Sequence, residues 1–208
     1  MLTYRMGMMS VGGHQGRLLF PAIPFPMAAS FSKKTLAALM GSAAVAGALT
    51  ADIARWEGKK NVGYLDLAKI PTKCFGDTSD VIVGKFYSDA ECAAGLDRQA
   101  TVHVEGVLRC APGLASQPQL LRASGSMAYN IGVAGWCGST AASRFKVGDW
   151  VGGCLAIGPY FTVLRKDGST VVTSGFINAR VNGKLQPVDG LIFRRTYEMT
   201  VCLRGLIA

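Results

Sequence analysis

Trp56-Glu57-Gly58-Lys59-Lys60-Asn61-Val62-Gly63-Tyr64-Leu65-Asp66-Leu67-Ala68-Lys69-Ile70-Pro71-Thr72-Lys73-Cys74-Phe75-Gly76 is the stretch from which the rest of this chain can be read. Before it, Thr50-Ala-Asp-Ile-Ala-Arg-Trp-Glu57 predicts a short helix that Gly58 stops. Glu57 then lies at the negative end of the helix dipole, which disfavours a carboxylate there. A carboxylic acid held in its protonated form can give a proton to a glycosidic oxygen. After the glycine, Tyr64-Leu65-Asp66-Leu67 alternates between Gly63 and Pro71 and predicts a strand or hairpin. A hairpin folded back over the helix end brings Asp66 to face Glu57 across a groove. Thr72, six residues beyond Asp66, supplies a hydroxyl that can help hold a water against that carboxylate. An acid on one side and a carboxylate-held water on the other is the layout of an inverting glycosidase. Taken singly, the three residues read equally well as a surface Glu, a turn Asp and a strand Thr.

The rest of the composition narrows the choice. The chain has 208 residues, half of them apolar and 17% charged, which is a globular composition. A net charge of +9 suits polyanions of several kinds. No Lys/Arg run exceeds a pair and no basic motif is studded with aromatics, so a nucleic-acid partner is not expected. The six cysteines, Cys74, Cys92, Cys110, Cys137, Cys154 and Cys202, form no C-x-x-C pair and have no histidine at zinc spacing. Neither a metal nor a cofactor is expected. In an exported chain an even count suggests three disulfides; otherwise the six are buried thiols.

Upstream, residues 1–34 read as a tail without regular structure, broken by Pro21, Pro24 and Pro26. They are either a mis-assigned extension before Met27 or a loose cytoplasmic tail. Residues 35–51 carry no charge, follow Lys33-Lys34 and precede Asp52. Leu36, Leu39, Met40, Val45 and Leu49 are the large apolar residues of this segment; the others are Ala, Gly, Ser and Thr. As one helix it would reach about 25 Å against a hydrocarbon core of about 30 Å. Four readings are open: a signal cleaved after Ala46-Gly47-Ala48, a permanent anchor, a weak anchor that later leaves the bilayer, or a buried Ala-rich helix. The weak, releasable anchor is the leading expectation, with a cleaved signal beside it.

The central stretch resembles the active-site segment of glycoside hydrolase family 24, the phage-type lysozymes. That family places an acid nine residues after its Glu and a Thr six residues later, and Glu57, Asp66 and Thr72 match both spacings. The likeness continues in Tyr87-Ser-Asp-Ala-Glu-Cys92, where Ser88 and Glu91 also make a capping box. It returns in Ala128-Tyr-Asn130-Ile-Gly-Val-Ala-Gly-Trp136, in Ser139-Thr140 through Gly148-Asp149, and in Gly190-Leu-Ile-Phe-Arg194-Arg195-Thr-Tyr-Glu198 with Cys202. It covers about 55–150 and 185–203. The Lys-flanked segment before Glu57 is similar to the signal-anchor-release endolysins, although it has no cysteine.

The resemblance implies an α+β, lysozyme-like fold. It would be mainly helical, with a small β-hairpin lobe on one side of the cleft and a weak N-terminal membrane helix. Residues 52–208 form the lysozyme domain, with a hairpin-like insertion at about 155–184, where Arg165-Lys-Asp-Gly168-Ser and Val181-Asn-Gly183-Lys are turn signals. The implied activity is hydrolysis of the β-1,4 bond between N-acetylmuramic acid and N-acetylglucosamine, leading to host lysis. The expected partners are peptidoglycan glycan strands and the inner membrane through residues 35–51, and a monomer is expected. The expected location is the inner membrane, then the periplasm after release. Asn130 is expected to line the cleft and bind substrate. Related endolysins imply Cys74–Cys92 and Cys154–Cys202 pairs, which leaves Cys110 with Cys137. One departure is Gly76-Asp77-Thr78, where the family often has Gly-His-Thr.

Other readings stay open. A lytic transglycosylase needs only the Glu, and a wall-binding module tethered to the membrane needs no catalysis. A zinc amidase lacks ligands, since His103 is the one histidine in the domain. A Cys/His peptidase needs a free thiol. Trp136 and Trp150 read as core residues rather than sugar platforms. Of Arg194 and Arg195, one is expected to meet a core carboxylate and the other to face solvent.

Overall fold

The computed structural model describes residues 35–66, 69–164, 166–181 and 184–207; the tail expected over 1–34 lies outside them. The first helices are α1 (Leu36–Met40) and α2 (Ala43–Glu57). A hairpin of β1 (Lys60–Leu65) and β2 (Pro71–Cys74) follows, then α3 (Asp89–Cys110), a 3-10 turn over Pro112–Ser116 and α4 (Pro118–Cys137). Next come α5 (Thr140–Lys146) and α6 (Trp150–Ile157), and the hairpins β3 (Tyr160–Leu164) with β4 (Thr170–Ser174) and β5 (Asn178–Val181) with β6 (Lys184–Pro187). The last element is α7 (Asp189–Arg204). All three hairpins are two-stranded and antiparallel. The fold is thus mainly helical with small hairpins, in line with the α+β expectation.

The membrane-helix part of that expectation is corrected. Among the described residues no helix is long and apolar enough to cross a membrane. Residues 35–51 are not one helix. Gly41, at φ 78°, ends α1 in a left-handed conformation that favours glycine, and Ser42 opens α2 by accepting from the Val45 N–H. The apolar residues are spent inside the domain: Leu36, Met40, Leu49 and Ile53 are buried in the main core. A methyl at Gly125 of α4 would meet Leu49 within 3.2 Å, so α2 and α4 are in close contact there. Asp52, the charge that closes the apolar run, is also buried, where it receives Arg122 at 2.7 and 2.9 Å and the Tyr197 hydroxyl at 2.7 Å. The inner-membrane partner assigned to residues 35–51, and the membrane-then-periplasm location built on it, are overturned by the same finding. The segment is core-forming, as the buried alternative to a membrane helix has it, but it is two helices rather than one.

Helices α2, α3 and α4 carry most of the main core, α1, α5 and α6 add to it, and α7 joins it through Cys202. The Ser88–Glu91 capping box starts α3, each side chain meeting the other's backbone N–H. Gly132, at φ 80° and ψ 154°, breaks the helical path within α4, two residues past Asn130. Trp136 is fully buried, while Trp150 is half-buried against Phe145. Disulfides Cys74–Cys92, Cys110–Cys137 and Cys154–Cys202 join β2 to α3, α3 to α4, and α6 to α7.

Candidate active site

Glu57 ends α2, and Gly58 terminates the helix at φ 67° with its N–H on the Ala54 carbonyl. The chain then enters β1 directly, so the hairpin starts beside the helix end. Its register pairs Tyr64 with Thr72 and Leu65 with Pro71. Residues directly opposite on a ladder share a face, so Tyr64 and Thr72 point the same way. Asp66 continues the pairing: its N–H donates to the Ile70 carbonyl at 3.0 Å, and its Oδ1 accepts from the Ile70 N–H at 2.8 Å. The carboxylate is therefore held on the turn itself. Thr72 is buried and its hydroxyl donates to the Ile70 carbonyl at 3.0 Å. That bond uses the hydroxyl proton and leaves the oxygen's acceptor capacity for another donor.

Tyr64 lies within the field of both carboxylates. Its phenol holds its proton more tightly than a free one, through partial burial first and then the negative charges of Asp66 and Glu57. Both candidate carboxylates thus act on one hydroxyl. Lys60 Nζ lies 4.1 Å over the Tyr64 ring centre. The Tyr129 hydroxyl of α4 shares its proton between Gln99 Oε1 at 2.8 Å and the Phe75 carbonyl of the hairpin lobe at 3.1 Å. Burial, then Glu57 and Asp77, raise the Tyr129 phenol well above its usual range.

The partners of Glu57 come from the far end of the chain. Arg194 Nη1 donates to Glu57 Oε1 at 2.7 Å. The same guanidinium reaches Glu198 Oε1 at 3.1 Å and the Ser126 carbonyl at 3.1 Å. Arg195 is fully buried, 2.6 Å from Glu198 Oε2, and donates to Asn130 Oδ1 at 2.5 Å. The Arg195–Glu198 contact is ionic, since its angle does not make a hydrogen bond. The expectation that one arginine faces solvent is therefore corrected: both are buried. The side-chain carbonyl of Asn130 is engaged by Arg195, and Asn130 stays half-buried. Glu198, Ser126 and Tyr64 had not been singled out. The signal for Glu198 was present in the spacing, since Arg194 and Arg195 stand four and three residues before it on one helix face.

Where the family often has a histidine, Asp77 caps its own turn through the Ser79 N–H at 2.8 Å. It lies 3.5 Å from Lys73 Nζ, which also bonds the Ser79 carbonyl and sits 4.9 Å over the Tyr87 ring. This buried pair ties the lobe's loop to β2. Among the described residues no cluster of His, Cys, Asp and Glu could hold a metal. A cavity of about 580 Å³ opens between α4 and the second half of α7, lined by Arg122, Tyr197 and Arg204 among others; none of Glu57, Asp66 and Thr72 lines it.

The family described as Phage lysozyme matches residues 54–198. The chain is 32% identical over 137 residues to the SAR-endolysin of Enterobacteria phage P21, covering 62% of this chain and 80% of that one. The endolysin of Escherichia coli O157:H7 phage FAHEc1 superposes with a TM-score of 0.60 at 24% identity, over 74% of this chain and 90% of that chain. The muramidase domain of SpmX from Asticaccaulis excentricus gives 0.60 at 19%, over 75% and 95%. At these identities the two structures establish a shared fold.

Proposed function

The chain belongs to the phage lysozyme family, and we infer that it is an endolysin-type muramidase that hydrolyses the β-1,4 bond between N-acetylmuramic acid and N-acetylglucosamine. The observation that carries the site assignment is the position of Glu57 at a helix end beside a hairpin that carries Asp66 on its turn and Thr72 on β2.

In this reading Glu57 is the general acid. Arg194 occupies Oε1, which leaves Oε2 to carry the proton that passes to the glycosidic oxygen as the bond to the anomeric carbon breaks. Asp66 is the general base on the opposite face of the sugar. A water donates one hydrogen to the Asp66 carboxylate and the other to Thr72 Oγ1, whose own proton is on the Ile70 carbonyl. The water's lone pair is then aimed at the anomeric carbon. As it adds, its proton moves to Asp66, and the product is a reducing sugar of inverted configuration. Asn130 lines the same cleft in this reading, with its carbonyl held by Arg195.

Glu57→Gln tests the assignment. Release of reducing ends from purified peptidoglycan should fall by about 100-fold or more. Near-normal release by that variant would show that Glu57 is not the acid. Product analysis separates hydrolysis, which gives reducing ends, from transglycosylation, which gives 1,6-anhydro sugars.

A further inference from the structure

We propose that Glu198 is a positioning residue for the reaction, acting on Glu57 through Arg194. The proposal rests on the reading of Glu57 as the acid.

The guanidinium of Arg194 is held on three sides, by Glu198, by the Ser126 carbonyl and by Glu57. Glu198 is itself fixed. Its Oε1 accepts from the Ser126 hydroxyl at 2.7 Å, and its Oε2 lies 2.6 Å from Arg195. Arg194, Arg195 and Glu198 are all at or below 4% exposure, and the Glu57 side chain is at 15%. A long side chain locked by buried partners loses rotamer freedom, so the orientation of Glu57 is set before substrate arrives.

The charges matter as much as the geometry. With both carboxylates ionised, two guanidiniums face two carboxylates and the cluster is neutral. Without Glu198, two buried cations would stand behind Glu57 with no other anion at bonding distance from them among the interactions described. Such a field favours the ionised form of Glu57, which has no proton to give. Glu198 offsets it. Burial lowers the Arg195 guanidinium to about 10, against the pull of Glu198 and Glu57 in the other direction. Glu57 also acts on Tyr64 of β1 and Tyr129 of α4, both phenols held neutral, with Asp66 acting on the same Tyr64 hydroxyl. Neither phenol can replace the missing negative charge near neutral pH.

The test is Glu198→Gln in the full chain, assayed on purified peptidoglycan across pH. The expected result is a kcat lowered between about 10- and 100-fold with KM little changed. The alkaline limb of the activity profile should also move to lower pH. The charge-balanced double variant Glu198→Gln with Arg195→Gln should return that limb to its original place while kcat stays low. A simple packing role would leave the pH limb where it is in both variants. If the single variant does not fold, the double variant still decides, because wild-type kcat in it overturns the proposal. If Glu57→Gln is inactive while Glu198→Gln matches the wild type in kcat and pH profile, the relay is wrong and the acid assignment stands. If Glu57→Gln is active, the acid assignment itself fails.

Discussion

Arg194 Nη1 and Glu57 Oε1 lie 2.7 Å apart although 137 residues separate them in the chain. The contact joins the final helix to the point where α2 gives way to the hairpin. It is a charge-assisted bond between largely buried groups, so its geometry fixes the carboxyl it holds. Lysine can restore the charge but not the three-way fork. Arg194→Lys is expected to lower kcat at least about tenfold while leaving the protein folded. Arg194→Ala should also destabilise, by roughly 3–5 kcal/mol, because it removes one of the two cations paired with buried Glu198. Steady-state kinetics and urea unfolding check the two variants separately.

Leu49, in the front helix, is fully buried between α2 and α4. Leu49→Ala should cost about 2–5 kcal/mol of unfolding free energy. Gly47 lies two residues earlier in the same helix, and a methyl added there meets no atom within 4 Å. Gly47→Ala is therefore expected to be neutral or to stabilise by up to about 1 kcal/mol. The contrast between the two sites, read by urea unfolding, tests whether residues 43–57 are an integral core helix.

Cys154 and Cys202 are 48 residues apart and bridge α6 to α7, the helix that carries Arg194 and Glu198. Replacing both by Ala should lower stability by about 4 kcal/mol on the chain-entropy account. Because the bridge acts mainly on the unfolded state, the kcat of protein that remains folded should change little. A thermal melt paired with an assay at low temperature distinguishes this from direct damage to the site.

His103 makes stability depend on pH. It lies in α3 with Nδ1 2.7 Å from the Gln99 carbonyl and its ring 4.9 Å from Tyr129. Burial lowers its affinity for a proton, and the bond to Gln99 only partly opposes this. The unfolded state therefore binds the proton more readily, and stability rises with pH across this window. The contribution is fully present above the unfolded value of about 6.5 and is lost as pH falls through the lower folded value. Urea unfolding at descending pH should show this loss in the wild type. His103→Gln should flatten the slope in that window.

Much of the site was legible locally. Gly58 ends a helix, Ser88 and Glu91 begin one, and the distances in sequence from Glu57 to Asp66 and Thr72 follow from a helix end running straight into a tight hairpin. These are short-range relations, set by backbone conformation and by hydrogen bonds between near neighbours. Two matters were not local. Hydropathy describes residues 35–51 as mildly apolar, a property that lipid and a protein interior satisfy alike. The break at Gly41 and Ser42 and the packing of Leu36, Met40 and Leu49 against α3 and α4 decided between them. The partners of Glu57 were equally hidden, because a core carboxylate could be expected for one of Arg194 and Arg195, but which one, and which carboxylate, depends on how α7 packs on α4. Burial then requires each charge to meet another, and folding brings Glu198, Ser126, Asn130 and Glu57 within reach to meet them.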